Sequence, residues 1–130
     1  MVDIVASVLD AINARDERAF VACFVSDGAI VDGDDRFAGA RQLRLWFDTE
    51  VRRPNAVVSM LARSRSDDVD VLTWEWDCRS FHHERVQFCT LALVSTRRDL
   101  VASIEFRAAR SWPSDPLRPR PLDGWLEDPL

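Results

Sequence analysis

Three acidic side chains stand where they could move protons. Asp32 closes the run Phe24-Val-Ser-Asp27-Gly-Ala-Ile-Val-Asp32, five residues after Asp27. Ile30, Val31 and Phe37 are its apolar neighbours, and a carboxyl in such surroundings keeps its proton to a higher pH, in the range useful to a general acid or base. The same Asp also fits a plain turn ahead of Gly33-Asp34-Asp35. The other two candidates lie on later, strand-like runs. Alternate residues of a strand share a face, so Glu75, Asp77 and Arg79 stand together, as do Ser103, Glu105 and Arg107. Turned into one apolar pocket, these faces would bring three carboxylates together. Repulsion would then leave one protonated as acid and another ionised as base. Turned outward, the same acids would pair with arginines in water at little gain. Leu72, Trp74, Trp76, Ile104 and Phe106 would then face inward, and the period of two does not choose between the cases.

Trp46, Trp74 and Trp76, with Phe37 and Arg79, could wall and anchor a flat apolar ligand, although packed core tryptophans would show the same spacing. The chain contains no Lys and no Tyr against 17 basic residues, all Arg. Lysine Schiff bases and phenol donors are therefore ruled out within it. Cys23, Cys78 and Cys89 are odd in number, far apart and set among apolar residues, as reduced core cysteines are. His82-His83 falls in a turn-like stretch that supplies no third metal ligand. No phosphate-cradling glycine run, nucleophile elbow or H-E-x-x-H is present. The chemistry to expect is acid–base work without metal or cofactor.

The 130 residues suit one domain, 47% hydrophobic and 30% charged, as in a globular chain. A net charge of −5 and a pI near 5.0 speak against nucleic acid. No apolar run reaches membrane-spanning length. The first residues carry Asp3 and Asp10 and no basic cluster, which predicts a cytoplasmic protein without a signal peptide.

Ile4, Val5, Val8, Leu9 and Ile12 recur at helical spacing and predict a helix over about 3–14. Asp16 is placed to cap a second helix, with Phe20, Cys23 and Phe24 on its buried face and Gly28 as its stop. A short strand over 29–32, a turn at Gly33-Asp34-Asp35 and a helix from Gly39 to Val51 follow. Beyond Pro54 the pattern alternates, predicting strands over about 56–65, 69–79, 85–95 and 99–109 joined by short polar turns. Helices followed by an antiparallel meander give an α+β fold with the helices on one sheet face. Several strands are apolar on both faces, Val86, Phe88 and Val94 alternating with Leu91 and Leu93. A second copy of the chain covering the outer face, in a homodimer, is the simplest account. Residues 111–130 hold five of the six prolines together with Trp112, Leu117, Leu122, Trp125 and Leu126. They predict an extended arm docked on its own or a neighbouring subunit, beyond a domain of residues 1–110.

This order of elements, with D-x-x-x-x-D at Asp27 to Asp32, resembles the nuclear-transport-factor-like superfamily over residues 3–109. Its members include SnoaL-like polyketide cyclases, ketosteroid isomerases and limonene epoxide hydrolases. The resemblance implies a cone-shaped barrel of a curved, mixed but mostly antiparallel sheet, three helices on the concave face, a deep pocket between them and frequent dimerisation. Asp32 matches the proton-shuttling carboxylate of the isomerases. Their Tyr is missing here, and Phe88-Cys89-Thr90-Leu91 stands where their second acid is expected. Against the epoxide hydrolases, Asp77 and Glu105 fit the two acids, Glu75 replaces the Arg, and Arg79 lies two residues further on.

The expected function is accordingly a SnoaL-like enzyme acting on a small apolar polyketide- or terpenoid-like compound by isomerisation, cyclisation or dehydration. Asp32 would be its base and Asp77 or Glu105 its acid. The alternatives are a dimeric ligand-binding or assembly module of the same fold, and hydration of an epoxide by a water held between Asp77 and Glu105.

Overall fold

The computed structural model describes residues 3–79 and 85–108, apart from the side chains of residues 79 and 108. The predicted arm at 111–130 and the His82-His83 turn lie outside the described residues. Helix α1 (Ile4–Asn13) starts where the Asp3 carboxylate accepts the Val5 amide at 3.1 Å, and it buries Val5, Val8, Ala11 and Ile12. Helix α2 (Glu17–Ala22) starts where Asp16 accepts the Ala19 amide at 3.0 Å. Each cap satisfies an amide that has no partner inside its helix.

The chain leaves α2 earlier than its apolar spacing suggests. Cys23 ends the helix and strand β1 runs from Phe24 to Asp32. Phe24 is thus a core residue of the strand, and Gly28 lies inside that strand rather than stopping a helix. A Cβ at Gly28 would come within 2.9 Å of the Phe24 Cβ and 3.0 Å of the Val25 oxygen. The register of β1 against its neighbour also shifts between Phe24 and Ala29. A glycine inside a strand commonly marks such a close approach.

The expected turn at Gly33 closes a hairpin. Gly33 takes a φ of +66°, and strand β2 (Asp35–Ala38) returns along β1. Helix α3 (Gly39–Phe47) continues into one π-helical turn, Asp48–Arg52, in which the Arg53 amide reaches back to the Asp48 oxygen at 3.0 Å. Four long strands complete the fold: β3 (Val57–Ser66), β4 (Val69–Arg79), β5 (Arg85–Arg97) and β6 (Leu100–Ala108). The sheet order is β2-β1-β6-β5-β4-β3. The β1–β6 pair is parallel and the others antiparallel, so the sheet is mixed. It stays open, with β2 and β3 as its edges, and the helices cover its concave face.

The core lies between helices and sheet. Ile12, Phe20, Leu43, Trp46, Phe47 and Val51 from the helical layer meet Leu72, Trp74, Trp76, Ala92, Val94, Ile104 and Phe106 from the strands. Asp70 is the buried acid on this face, 5% exposed. It is held by Arg63 at 3.3 Å and Arg65 at 3.2 Å. An amide side chain on α1 grips the edge strand. Asn13 donates to the Val58 carbonyl at 2.9 Å and accepts the Val58 amide at 2.8 Å. Asn13→Ala strands both groups and is expected to cost about 1–3 kcal/mol, read as a lower urea midpoint with an unchanged slope.

Candidate functional site

Period two along β1 puts Asp32 on the same side as the fully buried Ile30, the concave side. Its register partner on β6 is Phe106. The Trp46 indole on α3 donates to Asp32 Oδ2 at 3.0 Å. Trp46 is itself sandwiched, stacked on Phe20 at 5.6 Å and on Phe106 at 5.5 Å between ring centroids. The donor is therefore fixed by packing on both faces, and the carboxylate it holds is oriented. Burial raises the Asp32 pKa most, the Trp46 hydrogen bond pulls the other way, and the charge of Asp35 raises it further.

Glu50 is a second acid that the sequence reading passed over. It lies in the π turn, four residues beyond Trp46, where a helix returns to the same side. Its side chain reaches solvent, yet desolvation, followed by repulsion from Asp32, raises its pKa. The signal was the spacing Trp46-x-x-x-Glu50. Among the described residues neither Asp32 nor Glu50 has an arginine partner, whereas Asp70, Asp77 and Glu105 each have one. Cys78, on the concave face of β4, is pushed up to about 12 by burial, then by the charges of Asp77 and Glu50, with Arg15 opposing. A thiol so hard to ionise is a poor nucleophile.

The predicted convergence of three acids does not occur. Leu72, Trp74 and Trp76 of β4, and Ile104 and Phe106 of β6, are the buried inner residues. Asp77 and Glu105 therefore point to the outer, convex face, the alternation having only two sides to offer. Arg85 grips Asp77 there, its Nε donating to both carboxylate oxygens at 3.0 Å. Arg107 donates to Glu105 at 2.9 Å. Strand β5 runs between the two strands that carry these acids. Glu105 lines a convex-face depression of about 340 Å³ with Ser66, Val69, Val71, Leu93 and Ser103, not the concave interior. The water-bridged epoxide chemistry loses its geometry with them. Glu75 shares the outer face, and the Arg79 side chain lies outside the described residues.

The aromatic residues go where the wall reading needs them, and they also pack on one another. Trp76 stacks on Phe88 at 6.1 Å and meets Phe106 edge-on at 6.0 Å. Trp74 meets Phe106 at 5.6 Å and Trp76 at 6.2 Å. Phe37, on β2, packs against the same cluster from beside Asp32. The three concave-face indoles differ in their N–H groups. Trp46 donates to Asp32 and Trp76 to the Thr90 hydroxyl at 3.0 Å, whereas the fully buried Trp74 N–H has no partner among the described residues. An unpaired buried donor costs about 1–3 kcal/mol.

No protein-family model matches the sequence, and no curated protein matches it either. Solved structures match its fold with high probability. One is a protein with a ketosteroid isomerase-like fold from Catenulispora acidiphila, in complex with trimethylamine. It has a TM-score of 0.74 and 18% identity, over 84% of this chain and 87% of that one. The epoxide hydrolase/cyclase-like enzyme SalBIII, from pyran ring formation in salinomycin, matches with a TM-score of 0.74 and 18% identity over 83% and 89%. Rv0760c from Mycobacterium tuberculosis, in complex with estradiol-17β-hemisuccinate, matches with 0.73 and 13% over 83% and 92%. At these identities the likeness is one of fold.

Proposed function

We propose, from the nuclear-transport-factor-like cone fold this chain shares with SnoaL-like, ketosteroid isomerase-like and epoxide cyclase-like proteins, that it is a cytoplasmic acid–base enzyme. Its substrate is a small, largely apolar carbonyl compound of the polyketide or terpenoid kind, and it uses no cofactor. The observation that carries this reading is Asp32, an inward carboxylate fixed by the Trp46 indole at 3.0 Å among aromatic rings and, among the described residues, without an arginine. Oδ1 accepts no hydrogen bond among the described residues and is available to take a proton from the carbon beside the carbonyl. The electron pair moves to the carbonyl oxygen as an enolate. Collapse of the enolate with ring closure, double-bond migration or loss of a leaving group gives the product. Glu50, which also holds its proton to a higher pH, protonates the product, and solvent carries the proton on Asp32 back to Glu50 before the next turnover. Phe88, Phe106 and Trp76 line the place the substrate takes. A ring-forming enzyme and a steroid-ester complex among the fold relatives support this size and class of substrate.

A second reading is favoured by one observation. Trp46, Trp74, Trp76 and Phe106 fill the concave face against one another, each at most 7% exposed. That suits a non-catalytic dimeric binding or assembly module. In either reading two copies pair through the convex face, where Val71 and Leu93, which line the depression, and Leu91 form a half-buried apolar strip.

The pH dependence of turnover on a panel of enolisable ketones separates the readings. Asp32 works as base only when ionised, so the rate rises with pH. Burial places that rise above the ordinary aspartate value of about 3.9. Repulsion from ionised Asp32 falls on Glu50, which still holds its proton when Asp32 ionises, so Glu50→Gln is expected to lower turnover by removing the acid without moving that rise. A rise at the ordinary aspartate value would remove Asp32 from the chemistry, and absence of turnover across the panel would favour the module.

A further inference from the structure

Among the described residues Trp74 is the concave-face indole whose N–H is left unpaired, and it is 0% exposed. Thr90 stands directly opposite it in the β4–β5 register, but accepts from the neighbouring Trp76 at 3.0 Å. Buried polar groups without partners are rare in folded chains and are kept where a ligand or strain makes use of them. The ring of Trp74 touches Phe106 at 5.6 Å, and Phe106 is both the register partner of Asp32 and the stacking partner of Trp46. Phe106 thus touches both the indole ring that carries the unused donor and the one that fixes the base. A chain with no Tyr and no Lys has few groups able to hold a negative oxygen in an apolar interior.

We propose that the Trp74 indole N–H binds the carbonyl oxygen of the ligand and stabilises it as an enolate while Asp32 takes the neighbouring proton. The inference rests on the acid–base reading and deepens it by naming the acceptor as a ketone-type oxygen. The C–H bond breaks toward Asp32, its electron pair ends on the oxygen, and the N–H hydrogen bond strengthens as the charge grows there. The oxygen reaches the N–H by spreading Trp74 from the Phe106 and Trp76 rings, so ligand binding displaces those rings as well.

The test uses the full chain with 1-tetralone, and with tetralin as the same ring system lacking the oxygen. Replacing the indole N–H at position 74 alone by sulfur, with a benzothienylalanine side chain, keeps the ring and removes the donor. No hydrogen bond inside the protein is lost. The parent is expected to bind tetralone, with the Trp74 indole proton resonance moving downfield for tetralone and not for tetralin. The sulfur variant is expected to bind tetralone roughly tenfold more weakly and tetralin equally well. Equal effects on both probes, an unmoved Trp74 resonance, or no binding of tetralone by the parent would each overturn the proposal. Asp32→Asn keeps tetralone binding if Trp74 is the donor, even if the catalytic reading itself fails.

Discussion

Asp32→Asn is expected to cut turnover roughly 10²- to 10⁴-fold, the range carried by one positioned general base, while the fold keeps or gains stability. The two effects have one cause. The folded environment raises the Asp32 pKa, chiefly by desolvation, so the folded chain binds this proton more tightly than the unfolded chain. Stability then falls as pH rises from the unfolded aspartate value through the raised folded value, and at neutral pH the ionised carboxylate is a net cost to folding. Asparagine removes the charge, and its Oδ1 can still accept the Trp46 N–H. A variant that unfolds at higher urea than its parent at pH 7 yet no longer turns substrate over would separate the chemistry of Asp32 from its packing. Lost stability together with lost turnover would assign it a structural role.

The largest effect on stability is expected at Phe20. This ring is fully buried and lies against Phe24 at 5.2 Å, Trp46 at 5.6 Å and Phe47 at 4.9 Å. Phe20→Ala leaves a void between α2 and α3 that packed neighbours fill only in part, at a cost of about 3–5 kcal/mol. Against a total of about 5–15 kcal/mol for a domain, that brings the chain close to unfolding, as chemical denaturation will read. The loss reaches the site as well, because Trp46 would keep only Phe106 as a stacking face and would hold Asp32 less firmly. Phe20→Leu, which refills much of the volume, is expected to restore most of the stability and less of the turnover.

The sheet was legible in the sequence because its strands are long and their apolar alternation is strong. The four predicted runs after Pro54 match β3 to β6 within a few residues. Asp16 and Asp3 also announced their helices as caps. The β1 region was harder to read, since Phe20, Cys23 and Phe24 keep a helical spacing across a boundary set by tertiary pairing of Phe24 with Val101. Strand β2 is four residues long and reads as turn chemistry. At the site, Asp32 lay inward as its apolar neighbours suggested. Asp77 and Glu105 did not, because period two groups residues onto a face without saying which face the helices cover. The buried Trp74 and Trp76 take that side. Glu50 depended on a π turn, which adds a residue to the helix and has no sequence signature of its own.

Exchange of the α-protons of 1-tetralone in D₂O, followed by proton NMR with the parent chain and with Asp32→Asn, tests the central claim most directly. The parent is predicted to accelerate exchange over buffer and the variant to return it to the buffer rate. A variant that exchanges as fast as the parent, or a parent that leaves the buffer rate unchanged, would contradict proton transfer by Asp32.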